Sequence, residues 1–162
     1  MKRFEHMQKL QDILKKNNQT ITCAESCTGG LIASMITELS GSSAIFRGSV
    51  VTYCNDIKEQ ELGVKKETMI KYGAVSTQTV DEMLNGVIEK FDADYAIAVS
   101  GVAGPTGGTK DKPVGTVVVG VKKRNSPPIS KIYHFEGGRK TVQIKASVKA
   151  FEKIFEICSK NT

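Results

Sequence analysis

Residues 22–30 read Thr-Cys-Ala-Glu-Ser-Cys-Thr-Gly-Gly, placing hydroxyl, thiol and carboxylate side chains beside two glycines. A β-type run enters this stretch, and an apolar, helix-like run leaves it. A strand-to-helix turn of that kind presents small nucleophiles where free backbone N–H groups favour anions and developing oxyanions. Ser26 is the candidate nucleophile. Cys27 competes with it, because a helix N-terminus lowers a thiol's pKa. Glu25 is a candidate to orient the site or to exchange protons. Thr28 is either a substrate contact or an ordinary helix cap. Gly29 and Gly30 let another group approach the backbone closely.

A serine nucleophile needs a base. The two histidines, His6 and His134, fall in the first helix and in a strand near the far end, so a Ser-His-Asp triad is not indicated. A lysine can serve if burial keeps it neutral. Lys58 directly follows a strand end, with Tyr53 and Asn55 nearby as candidate substrate contacts. A second glycine-rich stretch runs from Gly101 to Thr109. It lacks the Gly-Lys-Ser/Thr of a P-loop and contains Pro105. Its Gly101, Gly104, Gly107 and Gly108 can still present backbone N–H groups to an anion or a carbonyl, with Thr109 and Lys112 closing it.

These residues need elements to hold them. Phe4, Met7, Leu10, Ile13 and Leu14 predict a first amphipathic helix, ended by Asn17-Asn18. Then come a strand at 20–24, a helix at 28–39, a strand at 45–53, and short helices at 59–63 and 66–72. Ser76 caps a strong helix, in which Val80, Met83, Leu84, Val87, Ile88 and Phe91 share one face. Residues 95–100 and 114–122 read as buried strands, and 130–135 as an alternating one. Gly137-Gly138 opens a last helix carrying Ile144, Val148, Phe151, Phe155 and Cys158. Strands alternating with helices predict an α/β fold with helices on both faces of the sheet. Loops after strand C-termini gather at one edge of such sheets, which would bring Ser26, Lys58 and the 101–109 loop together.

The chain has 162 residues, enough for one domain, 1–162, with a proper core. No apolar run approaches the roughly 18 residues of a membrane span, and the N-terminal residues lack the apolar core of a signal peptide. A cytoplasmic protein with no membrane partner is the expectation. Net charge is +6, and residues 122–162 carry ten basic against three acidic side chains. No groove-binding or aromatic-interleaved motif accompanies that excess, so it reads as a solvated helix face and not as a nucleic-acid surface. Cysteines 23, 27, 54 and 158 form no C-x-x-C pair or zinc spacing, and are read as free thiols.

Four stretches together resemble one family: Ala24–Gly30, Val51–Lys58, Gly73–Ser76, and Ser100–Thr109 with Lys112–Val117 following. They are similar to the C-terminal domain of the competence-damage-inducible protein A (CinA) family, in order from about residue 5 to 158. Stand-alone members are nicotinamide-nucleotide amidases. The resemblance implies a three-layer α/β/α sandwich with a mixed, mostly parallel five-strand sheet, like the anticodon-binding-domain fold. It implies hydrolysis of nicotinamide mononucleotide to nicotinate mononucleotide and ammonia, without metal or cofactor, by a homo-oligomer. It carries the nucleophile onto Ser26, the base onto Lys58 and a phosphate contact onto Arg139. Backbone N–H groups at Cys27–Gly30 or Gly101–Gly108 would hold the oxyanion. Three positions depart from the pattern: Gly138 replaces an Asp, Gln143 an Arg, and Cys54 a small hydroxyl residue. The Gln143 change predicts weakened phosphate binding through loss of a bidentate charge. An N-terminal pyrophosphatase domain, present in many relatives, finds no room here. Two alternatives stand beside the serine amidase: a catalytically silent nucleotide-binding module, and a thiol hydrolase using Cys27.

Overall fold

The run Tyr95–Ser100 offers no polar alternation and so no solvent face, and it forms the central strand of a five-stranded sheet. The computed structural model describes residues 2–160, with side chains from Glu5 onward. In chain order the elements are α1 (Lys2–Lys16), β1 (Ile21–Glu25), α2 (Leu31–Ile36), a 3-10 turn (Ser42–Ala44), β2 (Val50–Val51) and α3 (Asn55–Leu62). They continue with α4 (Lys66–Tyr72), α5 (Thr77–Lys90), β3 (Tyr95–Gly101), β4 (Thr116–Lys123), β5 (Ile129–His134) and α6 (Arg139–Ser159). The side chain of Phe4, assigned by its spacing to the apolar face of α1, lies outside the described residues.

The strand order is β2-β1-β3-β4-β5. β1 pairs in parallel with both β2 and β3, while β3–β4 and β4–β5 are antiparallel. The alternation of β3 decides what packs where. Ile97 and Val99 face one layer, where α1, α2 and α6 supply Leu10, Leu14, Ile36, Phe151 and Ile154. Ala96 and Ala98 face the other, and these small residues admit the apolar stripe of α5. That stripe is Val80, Met83, Leu84, Val87 and Ile88, as its 3.6-residue period requires. Ser76 caps α5, accepting the Thr79 N–H at 3.2 Å.

Three differences from the sequence expectation bear on the site. α2 begins at Leu31 and not at 28, because Gly29 and Gly30 hold left-handed φ values of 60° and 106° that a helix cannot contain. Residues 45–53 form only a two-residue strand. The Gly48 carbonyl accepts the Thr22 hydroxyl at 2.8 Å, and a Cβ on Gly48 would lie 2.8 Å from the Phe91 ring, so this part of the run is held to its neighbours outside the ladder. α3 begins at Asn55 and not at Glu59, with the Lys58 N–H already bonded to the Cys54 carbonyl at 3.1 Å. Lys58 therefore sits inside a helix. The C-terminal ends of β1 and β3 lie side by side, with β2 leading into α3, and this arrangement positions the site.

Candidate active site

Lys58 and Ser26 come from elements 32 positions apart and meet in the interior: Lys58 Nζ lies 3.1 Å from Ser26 Oγ. Lys58 is 1% exposed and Ser26 6%. A short relay of main-chain bonds sets the pair. The Thr52 N–H donates to the Glu25 carbonyl at 2.7 Å, extending the β1–β2 ladder by one bond. Lys58 Nζ in turn donates to the Thr52 carbonyl at 2.8 Å. Among the described residues no carboxylate lies within ion-pairing distance of Lys58. Burial pushes its amine below the ordinary lysine value, and the nearby thiols of Cys27 and Cys54 act the other way. A neutral amine there keeps an N–H for Thr52 and turns a lone pair to the Ser26 hydroxyl, which then donates to it.

Ser26 opens onto a cleft of about 310 Å³. That volume lies at the lower end of the range for small-molecule sites. Ser26, Cys27 and Tyr53 form one wall, residues 101–104 with Thr106 and Gly107 the other, and Arg139 one end. Arg139 stands in the first turn of α6 and spans the two walls, donating to the Gly104 carbonyl at 2.8 Å and to the Tyr53 hydroxyl at 2.6 Å. Gly101 is glycine for packing reasons, since a Cβ there would lie 2.7 Å from a Val117 methyl and 2.8 Å from the Thr116 carbonyl oxygen. The backbone N–H groups of Ala103, Gly104, Thr106 and Gly107 have no acceptor among the described residues. They are donors available to a ligand carbonyl or anion. Among the described residues no group of three or more His, Cys, Asp or Glu side chains gathers as a metal site.

Several predicted site residues stand elsewhere. Glu25 does not reach the cleft; its carboxylate is fully buried and accepts the Thr28 hydroxyl and the N–H groups of Gly30, Ile32 and Ala33. The N–H groups of Gly30 and of the start of α2 are thereby used, which leaves in this turn those of Cys27 and Thr28 without an acceptor among the described residues. Thr28, Gly29 and Gly30 form the turn behind the cleft without lining it. Asn55 borders a separate hollow between α3 and α4. Gly108 packs against the Val114 backbone, and Thr109 closes the loop by accepting the Lys112 N–H at 3.0 Å. Cys27 does line the cleft, but burial pushes its thiol up to about 12, which disfavours a thiolate nucleophile. Neither histidine borders the cleft: His6 stacks on Phe155, and His134 is 3.4 Å from Thr116 Oγ.

Two participants escaped sequence reasoning, and the bracing role of a third, Gln143, was not read. Thr52 acts through its main chain, which no side-chain pattern reveals. Thr106 reaches the cleft as part of a loop whose shape is not periodic. Gln143 donates to the Cys27 carbonyl at 3.0 Å, so it braces the nucleophile's turn where the sequence suggested only a lost phosphate contact. Its place four residues after Arg139, on the same face of α6, was the available signal.

The family model of the CinA C-terminal domain matches residues 4–158. The chain belongs to the CinA C-terminal domain family. A CinA-like protein of Thermotoga neapolitana is 44% identical over 142 residues, covering 88% of this chain and 34% of that protein. The chain thus spans about a third of the length of such CinA-like relatives. A protein of nearly its own length, the nicotinamide-nucleotide amidohydrolase PncC of Enterobacter agglomerans, is 45% identical over 91% of this chain and 90% of that one. Solved structures of CinA-family proteins share the fold. One from Agrobacterium tumefaciens superposes with a TM-score of 0.92 at 37% identity, over 96% of this chain and 95% of that one. One from Klebsiella pneumoniae gives 0.92 at 32% identity, over 98% of each.

Proposed function

We propose that this chain is an amidohydrolase that converts nicotinamide mononucleotide to nicotinate mononucleotide and ammonia, with Ser26 as nucleophile and Lys58 as base. The observation that carries the reading is the 3.1 Å approach of Lys58 Nζ to Ser26 Oγ in a buried setting with no carboxylate partner among the described residues. The similarity to the Enterobacter amidohydrolase over nearly its whole length supports the substrate.

Neutral Lys58 takes the Ser26 proton as Oγ attacks the carboxamide carbon. The carbonyl oxygen becomes an oxyanion, for which the N–H groups of Cys27 and of the 103–107 segment are available donors. Protonated Lys58 returns its proton to the departing nitrogen, the C–N bond breaks, and ammonia leaves an acyl ester on Ser26. Lys58, neutral again, activates water to hydrolyse that ester. Arg139 supplies the cation at the end of the cleft for the nucleotide phosphate. The four free cysteines and the lack, among the described residues, of a helix long and apolar enough to cross a membrane are consistent with work in a reducing cytoplasm.

The test is incubation of the purified protein with nicotinamide mononucleotide, reading both ammonia and the nucleotide acid. Equal amounts of the two products support the amidase. Calorimetric binding of the nucleotide without ammonia would replace that reading with a silent binding module.

A further inference from the structure

Glu25 directly precedes the proposed nucleophile and has no exposed surface. Five donors converge on its carboxylate: Thr28 Oγ at 2.6 Å, the N–H groups of Ile32 at 2.9 Å, Ala33 at 3.0 Å and Gly30 at 3.3 Å, and the Cys23 thiol at 3.9 Å. Only an acceptor with two oxygens satisfies that set, because an amide would turn its own NH₂ toward N–H groups. The same residue's main-chain carbonyl accepts Thr52 N–H, and the Thr52 carbonyl holds Lys58 Nζ. One residue thus anchors both partners: its side chain ties the turn that carries Ser26, and its backbone ties the strand that holds Lys58.

We propose that Glu25 is a positioning residue for the nucleophile: its buried carboxylate ties the 26–30 turn so that Ser26 meets Lys58. This inference rests on Ser26 being the nucleophile, as argued above.

The test uses the full chain, comparing wild-type Glu25 with Glu25→Gln and Glu25→Asp. Covalent labelling of Ser26 by a fluorophosphonate is followed by peptide mass spectrometry, alongside kcat and KM for nicotinamide mononucleotide. In Glu25→Gln, labelling and kcat should each fall about tenfold with little change in KM. Glu25→Asp, whose carboxylate is one methylene short of the same donors, should also lose kcat. Wild-type labelling or wild-type kcat in Glu25→Gln would overturn the proposal. If Glu25→Gln does not fold, Glu25→Asp decides, because wild-type kcat in that variant also overturns it. Labelling needs no substrate, so a wild type that releases no ammonia would end the amidase reading while the labelling data still judge Glu25.

Discussion

The turn after β1 and the loop after β3 both carry glycines, both follow the C-terminal ends of neighbouring parallel strands, and both border one cleft. Their backbones differ. In the turn, the N–H groups of Gly30, Ile32 and Ala33 are taken by Glu25. In the loop, those of Ala103, Gly104, Thr106 and Gly107 have no acceptor among the described residues. The turn is therefore fixed at its helix end and presents Ser26 together with the adjacent Cys27 N–H, and the loop presents backbone donors alone. Their glycines differ accordingly. A Cβ on Gly29 would meet nothing within 4 Å, so this glycine is needed for its φ of 60° alone, whereas Gly101 is pressed against β4. A glycine-rich sequence does not by itself say which of these jobs a loop performs.

The largest effect comes from removing the base that the turn's side chain meets. Lys58→Met should lower ammonia release about a thousandfold, the scale of a lost general base. It also reports on protons. Between the lowered folded-state value and the ordinary 10.5, the unfolded chain binds more protons than the folded protein. Wild-type stability therefore rises with pH across that window, and denaturation curves should show it gaining on Lys58→Met as pH climbs toward 10.5.

Gly101→Ala should come next. Its Cβ meets β4 backbone that cannot yield, costing about 1–3 kcal/mol by thermal denaturation, and the displaced loop should cut kcat about tenfold. A Gly101→Ala protein of wild-type stability and rate would break the contrast between the two loops. Gln143→Leu removes the brace on the Cys27 carbonyl at a cost of about 1 kcal/mol. It should lower kcat several-fold and leave KM unchanged if Gln143 serves the turn; a rise in KM alone would instead assign it to the nucleotide. Gly29→Ala should have the smallest effect on rate, with only backbone strain of about 1–2 kcal/mol.

Much of this was legible in the sequence, for reasons that particular residues make plain. The α5 stripe was readable because a 3.6-residue period survives any tertiary context, and β3 because an unbroken apolar run has no solvent side. The cleft edge followed from alternation, since strand C-termini share one side of an α/β sheet. β2 was overread because Ile45–Tyr53 is rich in β-type residues, yet Gly48 binds Thr22 outside the ladder. Lys58 was found by kind and neighbourhood, while its burial inside α3 was not, because one lysine on a polar helix carries no periodic signal. The tasks of Glu25 and Gln143 were hidden for a common reason. Each binds main-chain groups, and main-chain groups look alike in every sequence.

The central claim is that Ser26 and Lys58 act as one unit. The most direct measurement is ammonia release from nicotinamide mononucleotide by wild type, Ser26→Ala, Lys58→Ala and the double variant, side by side. If they are one unit, each single change should remove nearly as much rate as both together, because half of such a pair does no chemistry. Losses that multiply in the double variant, or a Lys58→Ala protein that keeps most of the wild-type rate, would contradict it.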